Sequence, residues 1–218
     1  MATSYILNCA QSFYIDPSAV KGAPLIDISS IDVFFNQKPK ATGNKSGINY
    51  PGVVIYLVNM TPDKQPDIQP IISGNYAHSF ARVEYVNIAT SADASRPTKF
   101  HFAPPIPAET RKSKAFVIKF DGNEDFILWA NKKGDDLVGT HIKSTGAVGK
   151  YYGDYYDTYH YDTTTQVLPV WNIKADVDLK FVVYAARFAA NGVPYNSNNT
   201  MSDVYGENGT PYSNLSII

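Results

Sequence analysis

Short runs in which apolar side chains alternate with their neighbours constrain this chain more than any other feature. In Ile28 to Phe35, the residues Ile31, Val33 and Phe35 share one face, with Asp32 and Phe34 on the other. From Ala115 to Phe120, Phe116, Ile118 and Phe120 oppose Val117 and Lys119. From Val177 to Phe188, Val177, Leu179, Phe181, Val183 and Ala185 oppose Asp178, Lys180, Val182, Tyr184 and Ala186. A period of two is the signature of a strand, because successive side chains leave a pleated backbone on opposite sides. Gly52 to Met60 is nearly continuous apolar, as in a strand buried on both faces, or buried on one face and set against a neighbour on the other. Weaker strands are expected over Phe80 to Ile88 and Thr98 to Phe102. No segment gathers its apolar residues at helical spacing between caps. Several short strands separated by turn signals predict a sandwich or a barrel.

The turns carry further detail. Asp121-Gly122-Asn123 tolerates the positive φ of a tight loop, so Lys114 to Asn131 reads as an antiparallel hairpin. The cluster Pro104, Pro105 and Pro107 reads as the end of the strand that carries Phe100 and Phe102. Asn36 to Tyr50, rich in Lys, Gly and Asn, reads as a loop between core strands. Asn191 to Asn214 is weakly patterned and reads as an arm ordered by a partner. The final Ile217-Ile218 suits an apolar contact there.

A chain of 218 residues with 44% hydrophobic and 18% charged residues has enough apolar side chains for one good core. Sixteen tyrosines and eleven phenylalanines suit the half-buried surface of strands. A net charge of −1 provides no general attraction to nucleic acid, so none is expected as a partner. No apolar run is long enough for a membrane span. Met1 to Asn8 lacks the basic cluster and apolar stretch of a secretory signal. Cys9 is the single cysteine, which rules out an intrachain disulfide or a thiolate cluster and fits synthesis in a reducing cytoplasm.

The order of the patterned segments carries a resemblance. Gln11-Ser12-Phe13-Tyr14-Ile15-Asp16 precedes Ile28-Ser29-Ser30-Ile31-Asp32-Val33-Phe34-Phe35 and then Gly52 to Val58. Lys99-Phe100-His101-Phe102-Ala103-Pro104-Pro105-Ile106, Lys114 to Phe120 and Phe126-Ile127-Leu128-Trp129-Ala130 follow. Asp178-Leu179-Lys180-Phe181-Val182-Val183-Tyr184-Ala185-Ala186-Arg187-Phe188 closes the series. This order resembles a β-sandwich domain of baseplate and tail-fibre proteins of tailed bacteriophages, over Gln11 to Phe188. The Asn36 to Tyr50 loop, the segment between Met60 and Phe80 and the tyrosine tract before Trp171 depart from that pattern. The resemblance implies scaffolding, attachment or host contact in the virion, without a shared catalytic motif. The expected fold is therefore an all-β, two-sheet antiparallel sandwich of jelly-roll type over residues 1–190, with an extended arm over 191–218.

Candidate chemistry is sparse. His78, His101, His141 and His160 are scattered, and no pair has metal-ligand spacing. Asp121 to Asp125 is the densest acidic run, but Phe126 to Ala130 interrupts a calcium loop. Glu84, Glu109, Asp121 and Asp125 are candidate carboxylates for glycoside hydrolysis, with nothing to single out a pair. The serines lack a nucleophile elbow, and no phosphate-binding glycine loop is present. No catalytic residue, metal or cofactor is assigned. The distinctive stretch is Tyr151 to Asp162, in which Tyr151, Tyr152, Tyr155, Tyr156, Tyr159 and Tyr161 interleave with three aspartates. Tyrosine joins a large flat face to a polar tip at small entropic cost, which suits a contact loop. The alternative is a meandering loop folded over the sandwich. The expected partners are other virion proteins in a homo-oligomeric or symmetric assembly, and alternatively a host glycan bound by a recognition module.

Overall fold

The computed structural model describes residues 4–39, 52–76, 79–121, 126–132, 152–162 and 171–186. The expected arm at 191–218 and most of the Asn36 to Tyr50 loop lie outside them. The fold is all-β: two antiparallel sheets packed face to face. Strands β1 (Ser4–Tyr14), β3 (Val53–Asn59), β4 (Phe80–Val83), β6 (Ser113–Phe120), β9 (Tyr152–Asp162) and β10 (Asn172–Lys174) form a six-stranded sheet in the order β10-β9-β1-β6-β3-β4. Opposite it, β2 (Leu25–Gln37), β5 (Pro97–Glu109) and β12 (Phe181–Ala186) lie in the order β12-β2-β5, with β7 (Ile127–Leu128) pairing the end of β2. A separate two-stranded ladder joins β8 (Ala130–Lys132) to β11 (Val177–Leu179).

The alternation dictates the core. Ile31, Val33 and Phe35 of β2, Phe100 and Phe102 of β5, and Phe181 and Val183 of β12 point inward. They meet Ile55 and Leu57 of β3 and Phe116 and Ile118 of β6. Phe13 and Phe116 of the larger sheet, 6.4 Å apart by ring centroids, meet Phe181 of the smaller at 5.9 and 4.9 Å. Burying each ring contributes about 1.5–3 kcal/mol by area, and each ring pair about 0.5–1.5 kcal/mol more. β1 begins at Ser4, so Phe13 stands near its far end and Ile15 just beyond it.

The larger sheet is also covered on its outer face. Ala10, Val54, Tyr56, Val58, Ala115 and Val117 form a second cluster under Ile68, Ile71 and Trp171. The cover is the excursion after β3, whose one-turn helix α1 (Gln69–Ile72) sets Ile71 against the sheet. Two-sided burial explains why Gly52 to Met60 reads as continuous apolar.

Four expectations are corrected. The hairpin over Lys114 to Asn131 does not form: β6 pairs with β1 and β3, while β7 pairs with β2 in the opposite layer. Phe126, 4.8 Å from Phe120 and 6.0 Å from Phe35 by ring centroids, anchors the crossing between layers. The prolines do not end β5. It runs on to Glu109 because, among the described strands, it is an edge strand paired with β2 alone, and its register with β2 shifts between Ile28 and Ser30, which absorbs Ala103-Pro104-Pro105. The strand expected to Ile88 stops at Val83, and Tyr85–Asn87 coils into a 3₁₀ turn beneath Lys38, whose Nζ donates to Tyr85 O and Ile88 O. The run from Val177 breaks at Lys180: its backbone N–H donates to Trp129 O at 2.9 Å, and the chain exchanges β8 for β2 as its partner.

Candidate functional site

The tyrosine segment is a strand and not a loop. Tyr152 to Asp162 pairs with β1, so Tyr152 stands opposite Phe13, Tyr155 opposite Gln11, Tyr156 opposite Ala10, Tyr159 opposite Leu7 and Tyr161 opposite Tyr5. Tyr151 lies outside the described residues. Adjacent tyrosines leave the pleat in opposite directions. Tyr155 packs half-buried against the inner core beside Cys9. Burial pushes the Cys9 thiol up to about 12 and raises the Tyr155 phenol far above its ordinary range. Cys9 is thus an inert core thiol at neutral pH.

Tyr156 is fully enclosed in the outer cluster, edge-on to Trp171 with ring centroids 6.1 Å apart, and its hydroxyl donates to Lys64 O at 2.7 Å. Tyr156 therefore presents no surface to a partner within this fold. Tyr155 and Tyr156, the two of these tyrosines whose side chains are described, face opposite sides of the sheet.

The interior holds a polar bridge that the sequence marked only as pieces of a pattern. Gln11 is fully buried, and its Oε1 accepts from Leu179 N at 2.9 Å while its Nε2 donates to Asp178 Oδ1 at 3.1 Å. Beside it, Asp154 N donates to Ser12 Oγ at 2.7 Å. Burial raises the Asp178 carboxyl above its ordinary value; the Gln11 amide works against that rise, and the Asp154 charge adds to it. The bridge fixes β11 and β9 to β1.

The outer face of the smaller sheet carries a second arrangement. Asp32 is 3% exposed and accepts from Tyr184 Oη at 2.9 Å. Lys99, paired with Asp32 across the β2–β5 ladder, places its ammonium 4.1 Å from the centre of the Tyr184 ring. Lys180 does the same over Phe34 at 4.7 Å. Cation-on-ring contacts of this kind are worth about 0.5–1 kcal/mol at exposed sites. His101 projects from this face, opposite in direction to Phe100 and Phe102, and is exposed.

The candidate carboxylates are engaged with cations. Arg82 Nε donates to Glu84 Oε1 at 2.8 Å and the Arg82 guanidinium also meets Asp121, so this arginine brings two of the candidates together. Glu109 pairs with Lys112 at 2.7 Å on another element. Hydrogen bonding to Arg82 and Lys112 lowers the Glu84 and Glu109 carboxyls, the reverse of what a general acid requires. Asp125, His78 and His141 lie outside the described residues, as does the side chain of His160. Among the described residues no group of three histidine, cysteine or acidic side chains is placed to hold a metal ion.

The fold and these contacts define a two-layer antiparallel β-sandwich whose buried polar groups tie strands together. No family model matches the chain, and a search of the curated proteins finds no match.

Proposed function

We propose that this chain is a non-enzymatic structural component of a tailed-phage particle that holds tail, baseplate or fibre parts in place through protein–protein contacts. The observation that carries the reading is the Gln11 bridge. Gln11 opens the first segment of the resemblance and Asp178-Leu179 opens its last, and one buried amide bonds both. A buried amide must find partners for its donors and acceptor, so the two segments depend on each other across the whole chain. That dependence supports a shared architecture over a chance run of generic strands.

The contacts would be made at sheet margins. Ile173 of β10 is 45% exposed on the end strand of the described six-stranded sheet. Edge strands with exposed apolar side chains are where neighbouring chains pair, and symmetry multiplies such contacts among copies. In this reading the assembly is formed with other virion proteins or with further copies of the chain.

Mass spectrometry of purified particles, followed by fitting of this fold into a map of the tail, tests the proposal. The expected result is a stoichiometric component located in the tail or baseplate. Its absence from particles that package and infect normally would overturn the reading.

A further inference from the structure

On the outer face of the six-stranded sheet, the cover leaves a pocket of about 220 Å³. Leu7, Ile71 and Ile72 form its apolar walls, Tyr56 and Tyr76 supply rings, and Lys119 supplies a cation. The two rings are held nearly perpendicular, 84° apart with centroids separated by 5.1 Å, and Phe80 braces Tyr76 at 5.5 Å. Lys119 stands on the outward side of β6 opposite Val54, and among the described residues it makes no ion pair. No carboxylate belongs to the pocket lining.

We propose that this pocket binds a single six-membered ring bearing a carboxylate, of the acidic-sugar class. The proposal is independent of the virion reading. Size sets the first limit, since an apolar cavity of about 150 Å³ holds a benzene ring while drug-sized ligands occupy roughly 300 Å³ and more. A pocket between those values takes one substituted ring and excludes a nucleotide. Charge sets the second limit. A neutral apolar guest would strip water from the Lys119 ammonium without replacing it, whereas a carboxylate offers a charge-assisted bond. The walls set the third. A bare inorganic anion would leave the tyrosine and isoleucine surfaces without a partner, while a sugar ring has an apolar face for them and hydroxyls for the Tyr76 phenol and Ser73.

Ligand-observed NMR with three probes tests this: methyl glucuronide, methyl glucoside and benzoate. The expected result is glucuronide binding with a dissociation constant on the order of 1 mM and the neutral glucoside at least about tenfold weaker. Lys119→Gln should abolish that preference while the circular dichroism spectrum stays that of the parent. Ser73→Trp, at the exposed mouth, should block glucuronide binding without touching the core and provides the test if Lys119→Gln does not fold. Benzoate binding as tightly as glucuronide would overturn the sugar class. Equal affinity for glucoside and glucuronide would overturn the role of Lys119. Absence of glucuronide binding up to about 50 mM would overturn the site itself.

Discussion

At the scale of single residues, polarity inside the sandwich is tied to strand connection. Asp178 is the case with a measurable consequence. Its carboxyl is raised in the folded protein, chiefly by burial, so the native state binds this proton more tightly than the unfolded chain does. The sign follows directly. Above the folded value the ionised group costs stability in full. As pH falls through the folded value that cost is relieved, and the relief is complete below the ordinary aspartate value. Asp178→Asn keeps an oxygen that can accept from Gln11 and removes the charge. The variant should therefore be more stable than the parent at pH 7 in urea titrations, with the difference shrinking toward acid pH. A variant less stable at every pH would show that the charge itself is needed. The sequence displayed Asp178 as an ordinary polar residue on the outward side of an alternating strand. Its partner is 167 positions away, and no local pattern encodes a bond of that span.

Strands were legible wherever one side chain in two was plainly apolar, and partners were not. β2, β3, β6 and β12 follow from alternation or from continuous apolar character, because burial on one or both faces selects those residues directly. Alternation is silent on which strand lies alongside, so a turn signal between two patterned runs does not say whether they pair with each other or belong to different sheets. β9 was hidden for a different reason. Tyrosine serves a buried position by its ring and a wet one by its hydroxyl, so Tyr155 facing the inner core and Tyr156 facing the outer cluster produce no contrast between faces. Aspartates between them complete the look of a loop. The signal that the sequence does hold for this strand is Gly153. The register of β9 on β1 shifts between Gln11 and Phe13, and a Cβ at Gly153 would lie 1.9 Å from the Ser12 carbonyl oxygen. Nothing flexible is there to yield, because the obstacle is backbone. Gly153→Ala should destabilise the fold by about 3 kcal/mol or more, at the upper end of overpacking costs. Gly74→Ala is the comparison for positive φ without crowding, since nothing lies within 4 Å of its added Cβ. Guanidinium midpoints for the two variants decide the matter, and a smaller loss at 153 than at 74 would contradict the close approach.

Across the whole molecule the two clusters share one sheet, and this orders its stability. β3 and β6 contribute Ile55, Leu57, Phe116 and Ile118 to the core between the layers, and Val54, Tyr56, Ala115 and Val117 to the cluster beneath α1. Every side chain from Val53 to Val58 is buried for this reason. The cover is a different kind of structure. It is a single helical turn without a side-chain cap, followed by exposed residues at 73–75, and it is held through few anchors, among them Ile68, Ile71 and the Tyr156 hydroxyl on Lys64. Local opening costs less where fewer apolar contacts break, so the cover should open without the sheet, and the sheet should open only with the whole fold. Hydrogen–deuterium exchange provides the measurement. Amides of β3 and β6 should exchange last and together, at a rate that tracks global unfolding in denaturant, whereas those of α1 should exchange much earlier with little denaturant dependence. Equal protection of α1 and β6 would mean that the cover is part of the cooperative core. The pocket beside Lys119 would then have rigid walls on both sides, and its ligand would enter a preformed site. Early opening of α1 instead makes one wall adjustable, so a bound ring should slow exchange at Ile71 and Ile72 and leave β6 unchanged.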